Sequence, residues 1–165
     1  MPDVYRDNPN LKRANVQIQY TKEQVQEYQK CMEDPVYFTE NYIKIVSLDK
    51  GLIPFKLYEF QRQMMWTFHT ERFTICKLPR QSGKSTTIIA YLLHYALFNE
   101  TVNVAILANK AVTARDLLGR LQLAYEHLPD WLQQGVMTWN KGSLELENGS
   151  KILASSTSAS AVRGG

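Results

Sequence analysis

Apolar and polar positions change period several times along this chain, and each change predicts an element. The first twenty residues keep no clear period and read as an arm or irregular lead-in. Thr21–Met32 opens with Thr21 and Gln24, a pair whose side chains can each satisfy the other's backbone N–H. Val25, Tyr28 and Met32 then fall on one side of a helix. Asp34-Pro35 supplies a cap followed by proline at a first helical position, so a second helix runs to about Ile43. Lys50–Pro54 reads as a turn and Leu57–Phe68 as a third helix. Phe73–Leu78 is short and β-rich, a buried strand. Ser85–Phe98 is apolar almost all round, so this helix should be covered on both sides. Val102–Ala108 reads as a second buried strand. Ala114, Leu117, Leu118, Leu121, Ala124, Tyr125 and Leu128 then keep a 3.6-residue period that leaves Arg115 and Arg120 outward. Asn148-Gly149 predicts a type I′ turn joining Ser143–Glu147 to Lys151–Ser155, a C-terminal β-hairpin. Strand–helix–strand–helix in the middle predicts an α/β fold: a central parallel sheet flanked by crossover helices, after a helical N-terminal lead-in.

Composition narrows the class without naming a function. A chain of 165 residues can bury a core without disulfides or metal. Hydrophobic residues at 44% and charged residues at 21% exclude a disordered tail, a collagen-like rod and a membrane protein. The most apolar stretch, Ile88–Phe98, is too short to span a bilayer and contains His94. Cys31 and Cys76 lack a second Cys or His at metal-ligand spacing and read as reduced, buried thiols. With no signal peptide in the polar start Met1–Leu11, a cytoplasmic location is expected. The net charge is only +3, yet Arg62, Arg72, Lys77, Arg80 and Lys84 face a single acid, Glu71, within one short window. Such a cluster points to an anionic ligand.

The sharpest chemical signal is Leu78-Pro79-Arg80-Gln81-Ser82-Gly83-Lys84-Ser85. The phosphate-loop pattern G-x-x-x-x-G-K-[ST] is present except for its first glycine, where Leu78 stands, and it falls between a predicted strand and a predicted helix. Backbone N–H groups from about Gln81 to Ser85, through Ser82 and on toward Thr86, would cup phosphate oxygens. Gly83 would let the backbone approach without a Cβ clash. The helix end adds about half a positive charge. Lys84 would reach the β- and γ-phosphates, and the Ser85 hydroxyl would ligate Mg²⁺. Arg80 either leans toward the γ-phosphate as an arginine finger or is a solvated surface arginine. Gln61 falls inside the apolar stripe of its helix. A buried carboxamide there must be bonded, either to backbone or to a nucleobase edge that offers donor and acceptor together.

Taken in order, these residues resemble the ATPase domain of the large terminase subunit of tailed bacteriophages, especially the T-even-like contractile-tailed group. Asn8-Pro9-Asn10-Leu11-Lys12, Asp34-Pro35 through Ile43, and Leu57–Arg62 carry the resemblance in the first half. Pro79–Ser85 is similar to the family's variant Walker A, and Leu107–Lys110, Trp139–Ser143 and Ala161–Gly164 resemble later landmarks. The resemblance implies a P-loop NTPase that binds ATP and Mg²⁺. It implies Arg80 and Lys84 as catalytic groups, and Gln61, Arg62 and Gln81 through Thr86 at the nucleotide. Arg163 would lie near the nucleotide or the moving parts. The implied partners are double-stranded DNA, the portal protein, the small terminase subunit and sibling subunits in a ring, with no membrane, in the host cytoplasm.

One departure qualifies this picture. Such an NTPase uses an apolar strand ending in Asp-Glu, and no Asp-Glu pair occurs here. Residues 1–56 therefore read as arm and lead-in, and 57–165 as an incomplete P-loop core without the Walker B strand and nuclease domain. Little turnover is expected of this chain alone. A helicase-like DNA translocase shares the Gln and the loop, and a non-catalytic assembly module could share the fold; a small-molecule kinase would need a basic lid segment.

Overall fold

The computed structural model describes residues 3–71 and 84–157. In chain order its elements are β1 (Val4–Tyr5), β2 (Asn8–Lys12), α1 (Lys22–Glu33), α2 (Pro35–Tyr42), β3 (Lys44–Ser47), β4 (Gly51–Pro54) and α3 (Glu59–Thr70). After these come α4 (Lys84–Phe98), β5 (Asn103–Ala108), α5 (Ala111–Glu126), β6 (Val136–Trp139), β7 (Ser143–Leu146) and β8 (Lys151–Ser156). The expected strand Phe73–Leu78 lies outside the described residues, as does Cys76.

Helix α4 is the hub, and its sequence explains why. Ile89, Ala90, Tyr91, Leu93, Ala96 and Leu97 are all buried and cover the larger part of the helix, while Tyr95 on the remaining side is 37% exposed. Helices α2, α3 and α5 and strand β5 all pack on it. The C-terminal hairpin meets the carbonyls at the end of the helix, which the helix itself leaves without donors. The Asn148 amide donates to the carbonyls of Ala96 (2.9 Å) and Asn99 (3.1 Å), and Ser150 Oγ donates to Asn99 O (2.7 Å). This use of Asn148 corrects the expected turn. Gly149 has φ +87° but Asn148 does not enter the left-handed region, so the turn is not type I′. Instead Gly149 N–H donates to Leu146 O at 3.0 Å within a four-residue connection.

The sheet is mixed rather than parallel, in the order β5-β8-β7-β6. Strands β5 and β8 run parallel from Asn103↔Lys151 to Ala108↔Ser156, while β7 pairs antiparallel with both β8 and β6. A connection of four residues between β7 and β8 cannot cross over, so those strands must reverse. Strand β6 was not anticipated. Strand β5 was expected to be fully buried, yet only Ile106 is, and Leu107 is 50% exposed. Among the described strands β5 has a single neighbour, β8.

The lead-in follows its local signals and departs where pairing is long-range. Thr21 and Gln24 form the reciprocal cap at 3.0 and 3.1 Å, and Asp34 caps α2 ahead of Pro35. The buried face of α1 is only partly the predicted one: Cys31 is fully buried and Tyr28 packs against the core as expected, whereas Val25 (51%) and Met32 (41%) are exposed. Cys31 is a free thiol that burial pushes up to about 12. The predicted turn at Lys50–Pro54 is strand β4, paired with β3. The supposed arm forms β1 and β2, and Gln133 holds it by accepting from Lys12 N–H (2.9 Å) and donating to Asn10 O (2.8 Å). Gly135 lies under the same segment.

His94 joins lead-in to hub. Its Nε2–H donates to Cys31 O at 2.8 Å, with the rings of Phe38 and Phe98 at 5.4 and 4.8 Å, and its buried Nδ1 has no partner among the described residues. Burial pushes its pKa down to about 4, against the opposing pull of the Cys31 carbonyl. In the unfolded chain it titrates near 6.5, so below that pH the unfolded state takes up a proton the folded state refuses. Stability present above pH 6.5 should fall by up to about 3 kcal/mol as pH drops toward 4. Urea unfolding from pH 7 to pH 4 checks this, and His94→Gln should flatten the slope. A Cβ on Gly135 would lie 2.5 Å from Ala14 Cα and 2.8 Å from Arg13 O, both backbone. Gly135→Ala should therefore destabilise the fold by about 1–3 kcal/mol in the same assay.

Candidate functional site

The site residues that the structure describes gather at two helix starts. Lys84, Ser85 and Thr86 form the first turn of α4 and are all half-buried. That turn contains no acid, and Lys84 makes no ion pair among the described residues. A fifteen-residue helix therefore presents its positive end, a cation and two hydroxyls together. Ser85 supplies a hard oxygen of the kind Mg²⁺ accepts. No cluster of three or more His, Cys, Asp or Glu able to hold a metal occurs among the described residues. Arg80, Gln81, Ser82 and Gly83 lie outside the described residues, and so does Arg163.

The second start is that of α3. Gln61 is 2% exposed, on the buried face as its helical position predicts. Its Oε1 accepts the N–H of Tyr58 at 2.8 Å, so the carbonyl end of the amide fastens the helix cap. Arg62 is held by Glu40, with Nη2 at 3.1 and 3.3 Å from the two carboxylate oxygens, and Nη1 lies 3.7 Å from Glu59. Glu40 also accepts Leu57 N–H at 3.1 Å. Burial pushes the Glu40 carboxyl up, but the Leu57 amide and Arg62 outweigh it and hold it below the ordinary carboxylate range. Arg62 is thus largely neutralised where it stands.

A cavity of about 320 Å³ opens beside Thr86, between β3, α4 and α5. Lys44 and Arg120 line it, and Gln61 does not. Neither cation was singled out by the sequence pattern. Arg120 sits on the polar side of α5, where helical periodicity reads it as a solvated charge. Only the position of β3 shows that this side faces a wall.

The capping role of Gln61 has a stability signature. Gln61→Ala should lower unfolding free energy by about 1 kcal/mol through loss of the cap, whereas Gln61→Glu, which keeps an acceptor for Tyr58 N–H, should retain most of it. Urea unfolding of the two variants checks this.

Residues 75–165 match the family model described as terminase large subunit, T4likevirus-type, N-terminal. The match takes in the loop, the whole of α4 and α5, the four-stranded sheet and Arg163, which is more than half of the chain. The match begins after α3, so the likeness of the lead-in rests on its own residues. By that match the chain belongs to the T4-like terminase large subunit family, in its N-terminal part.

Proposed function

We propose that this chain is the ATP-binding front part of a viral DNA-packaging motor, built on a P-loop NTPase fold. The intact motor couples ATP hydrolysis to movement of double-stranded DNA into a procapsid. Its partners would be the portal protein, the small terminase subunit and sibling subunits in a ring. Among the described residues no helix is long and apolar enough to cross a membrane.

The observation that carries the reading is the first turn of α4. Lys84, Ser85 and Thr86 stand at the positive end of a helix whose body is mostly buried. Groups mounted on such a helix lose little entropy when they bind, because the core already fixes them. Lys84 would neutralise phosphate charge as a point cation, and the α4 dipole adds to it. When bound, Mg²⁺ would draw charge from the same phosphate oxygens, with the Ser85 hydroxyl as one ligand. Arg80, placed earlier in the loop, would add positive charge at the γ-phosphate. Gln81, Ser82 and Gly83 would supply backbone N–H donors.

Calorimetric titration of the chain with a non-hydrolysable ATP analogue and Mg²⁺ tests this. Lys84→Ala should weaken binding by about tenfold or more while leaving the melting temperature nearly unchanged, because the side chain is only half-buried and makes no ion pair among the described residues. A wild-type chain that bound no analogue would instead support a non-catalytic assembly module.

A further inference from the structure

The cavity beside Thr86 is bounded on one side by the edge of a strand. Lys44, Ile45 and Val46 of β3 line it in unbroken succession, and no residue of β4 does. Side chains alternate between the two faces of a strand, so a face would contribute only every second residue. Consecutive lining residues mean that the edge of β3 borders the space.

The backbone on that edge is open. Phe55 N–H donates to Ile43 O at 2.9 Å, and the β3–β4 register continues as Ile45↔Ile53 and Ser47↔Gly51. Antiparallel pairs alternate, so the N–H and C=O groups of Lys44 and Val46 turn away from β4. They take no backbone partner among the described residues, and β3 has β4 as its single neighbour there. A two-stranded ribbon falls short of the three strands that make a sheet stable by itself, and an open edge is a template for another chain.

The rest of the cavity shows what that chain must carry. Its floor is apolar, made by Ile89 and Ala90 of α4 with Ala124 of α5. Lys44 and Arg120 line it and no acid does, and neither cation forms an ion pair among the described residues. Arg120 and Ala124 stand one turn apart, about 6 Å along α5. Side chains two residues apart on one face of an extended strand are separated by about 7 Å. The two spacings match. An apolar side chain over the floor can be followed, two residues on, by a carboxylate at Arg120, whose planar fork binds such a group with two hydrogen bonds. A nucleic-acid strand would bring phosphates for the cations but no peptide groups for the edge.

We propose that β3 takes a third strand from a partner protein, an extended segment with the pattern apolar-x-acidic. Its backbone pairs with Lys44 and Val46, its apolar side chain fills the cavity, and its carboxylate is held by Arg120, with the Lys44 ammonium adding charge. Strand addition of this kind draws affinity from main-chain hydrogen bonds and specificity from the pocket. It does not depend on what binds at the start of α4.

NMR titration of the full chain tests the proposal with two capped peptides, Thr-Val-Thr-Val-Thr-Glu-Thr and its counterpart with Lys in place of Glu. At about 1 mM the Glu peptide should shift the Lys44 and Val46 amide signals and slow their exchange with solvent, and the Lys peptide should not. Arg120 is exposed, so Arg120→Glu should fold; it should weaken the Glu peptide by about tenfold and favour the Lys peptide, a reversal that a misfolded variant could not give. Val46→Pro removes an outward N–H and spares the β3–β4 bonds, a position where an edge strand accepts proline, and should also weaken the Glu peptide by about tenfold. The proposal is overturned if the two β3 amides do not respond, if both peptides bind the native chain equally, or if Val46→Pro keeps affinity within about twofold. Displacement of the Glu peptide by an oligothymidylate would make the edge a nucleic-acid groove and overturn it as well.

Discussion

A helix packed round most of its circumference cannot leave its ends unsatisfied, and α4 is such a helix. Protein groups serve the carbonyls at its C-terminal end: the amide of Asn148, the hydroxyl of Ser150, and Gln134, which donates to Leu97 O at 3.4 Å. This requirement decides where the β7–β8 connection must sit, and through it the register of the sheet. At the other end the described residues supply a cation and hydroxyls and no acid. One end of the helix is closed by the fold, and the other is dressed for a negative charge.

The same requirement explains which parts of the sequence were legible. Caps are local chemistry: Thr21 with Gln24, and Asp34 ahead of Pro35, need only residues three or four apart, and both form as expected. Helix α5 was legible from its long apolar period, and α4 from an apolar run too long for a strand. Strands β5, β7 and β8 were legible to within a residue of their bounds, and β1 to β4 and β6 were not. Asn8–Lys12 has no alternation to recognise, since Gln133, more than a hundred residues away, holds it through backbone bonds. Asn148-Gly149 was recognised as a turn, but its type depended on α4 claiming the Asn amide. The expected hairpin forms between β7 and β8, and β5 runs parallel to β8, while the parallel partner expected for β5 at Phe73–Leu78 lies outside the described residues.

The candidate site was legible in one dimension only. Lys84, Ser85 and Thr86 stand where the motif placed them, at a helix start. Burial of Gln61 was foreseen, and of the two partners open to its carbonyl the structure shows backbone. The cavity was not foreseen, because its walls come from three elements and one of them, β3, had been assigned no element. Lys44 precedes the matched residues 75–165 and Arg120 falls within them. The cavity is therefore shared between the lead-in and the part that defines the family. Packing points the same way, since Cys31 and Phe38 of the lead-in share one continuous core with Leu93 and Leu97 of α4.

Charge shows why linear clusters mislead. The window from Arg62 to Lys84 looks strongly basic, yet Arg62 is cancelled by Glu40 and Glu59 before it can contribute. Coulomb energy falls with distance and with screening, so a field at α4 depends on which cations lie within about 10 Å and lack a carboxylate of their own. Lys44 and Arg120 are forty residues before and thirty-six residues after Lys84 in the chain, yet they line a cavity that Thr86 of the same helical turn also lines. The positive field at this end of the helix is thus assembled by the fold, from residues that no window along the sequence would group.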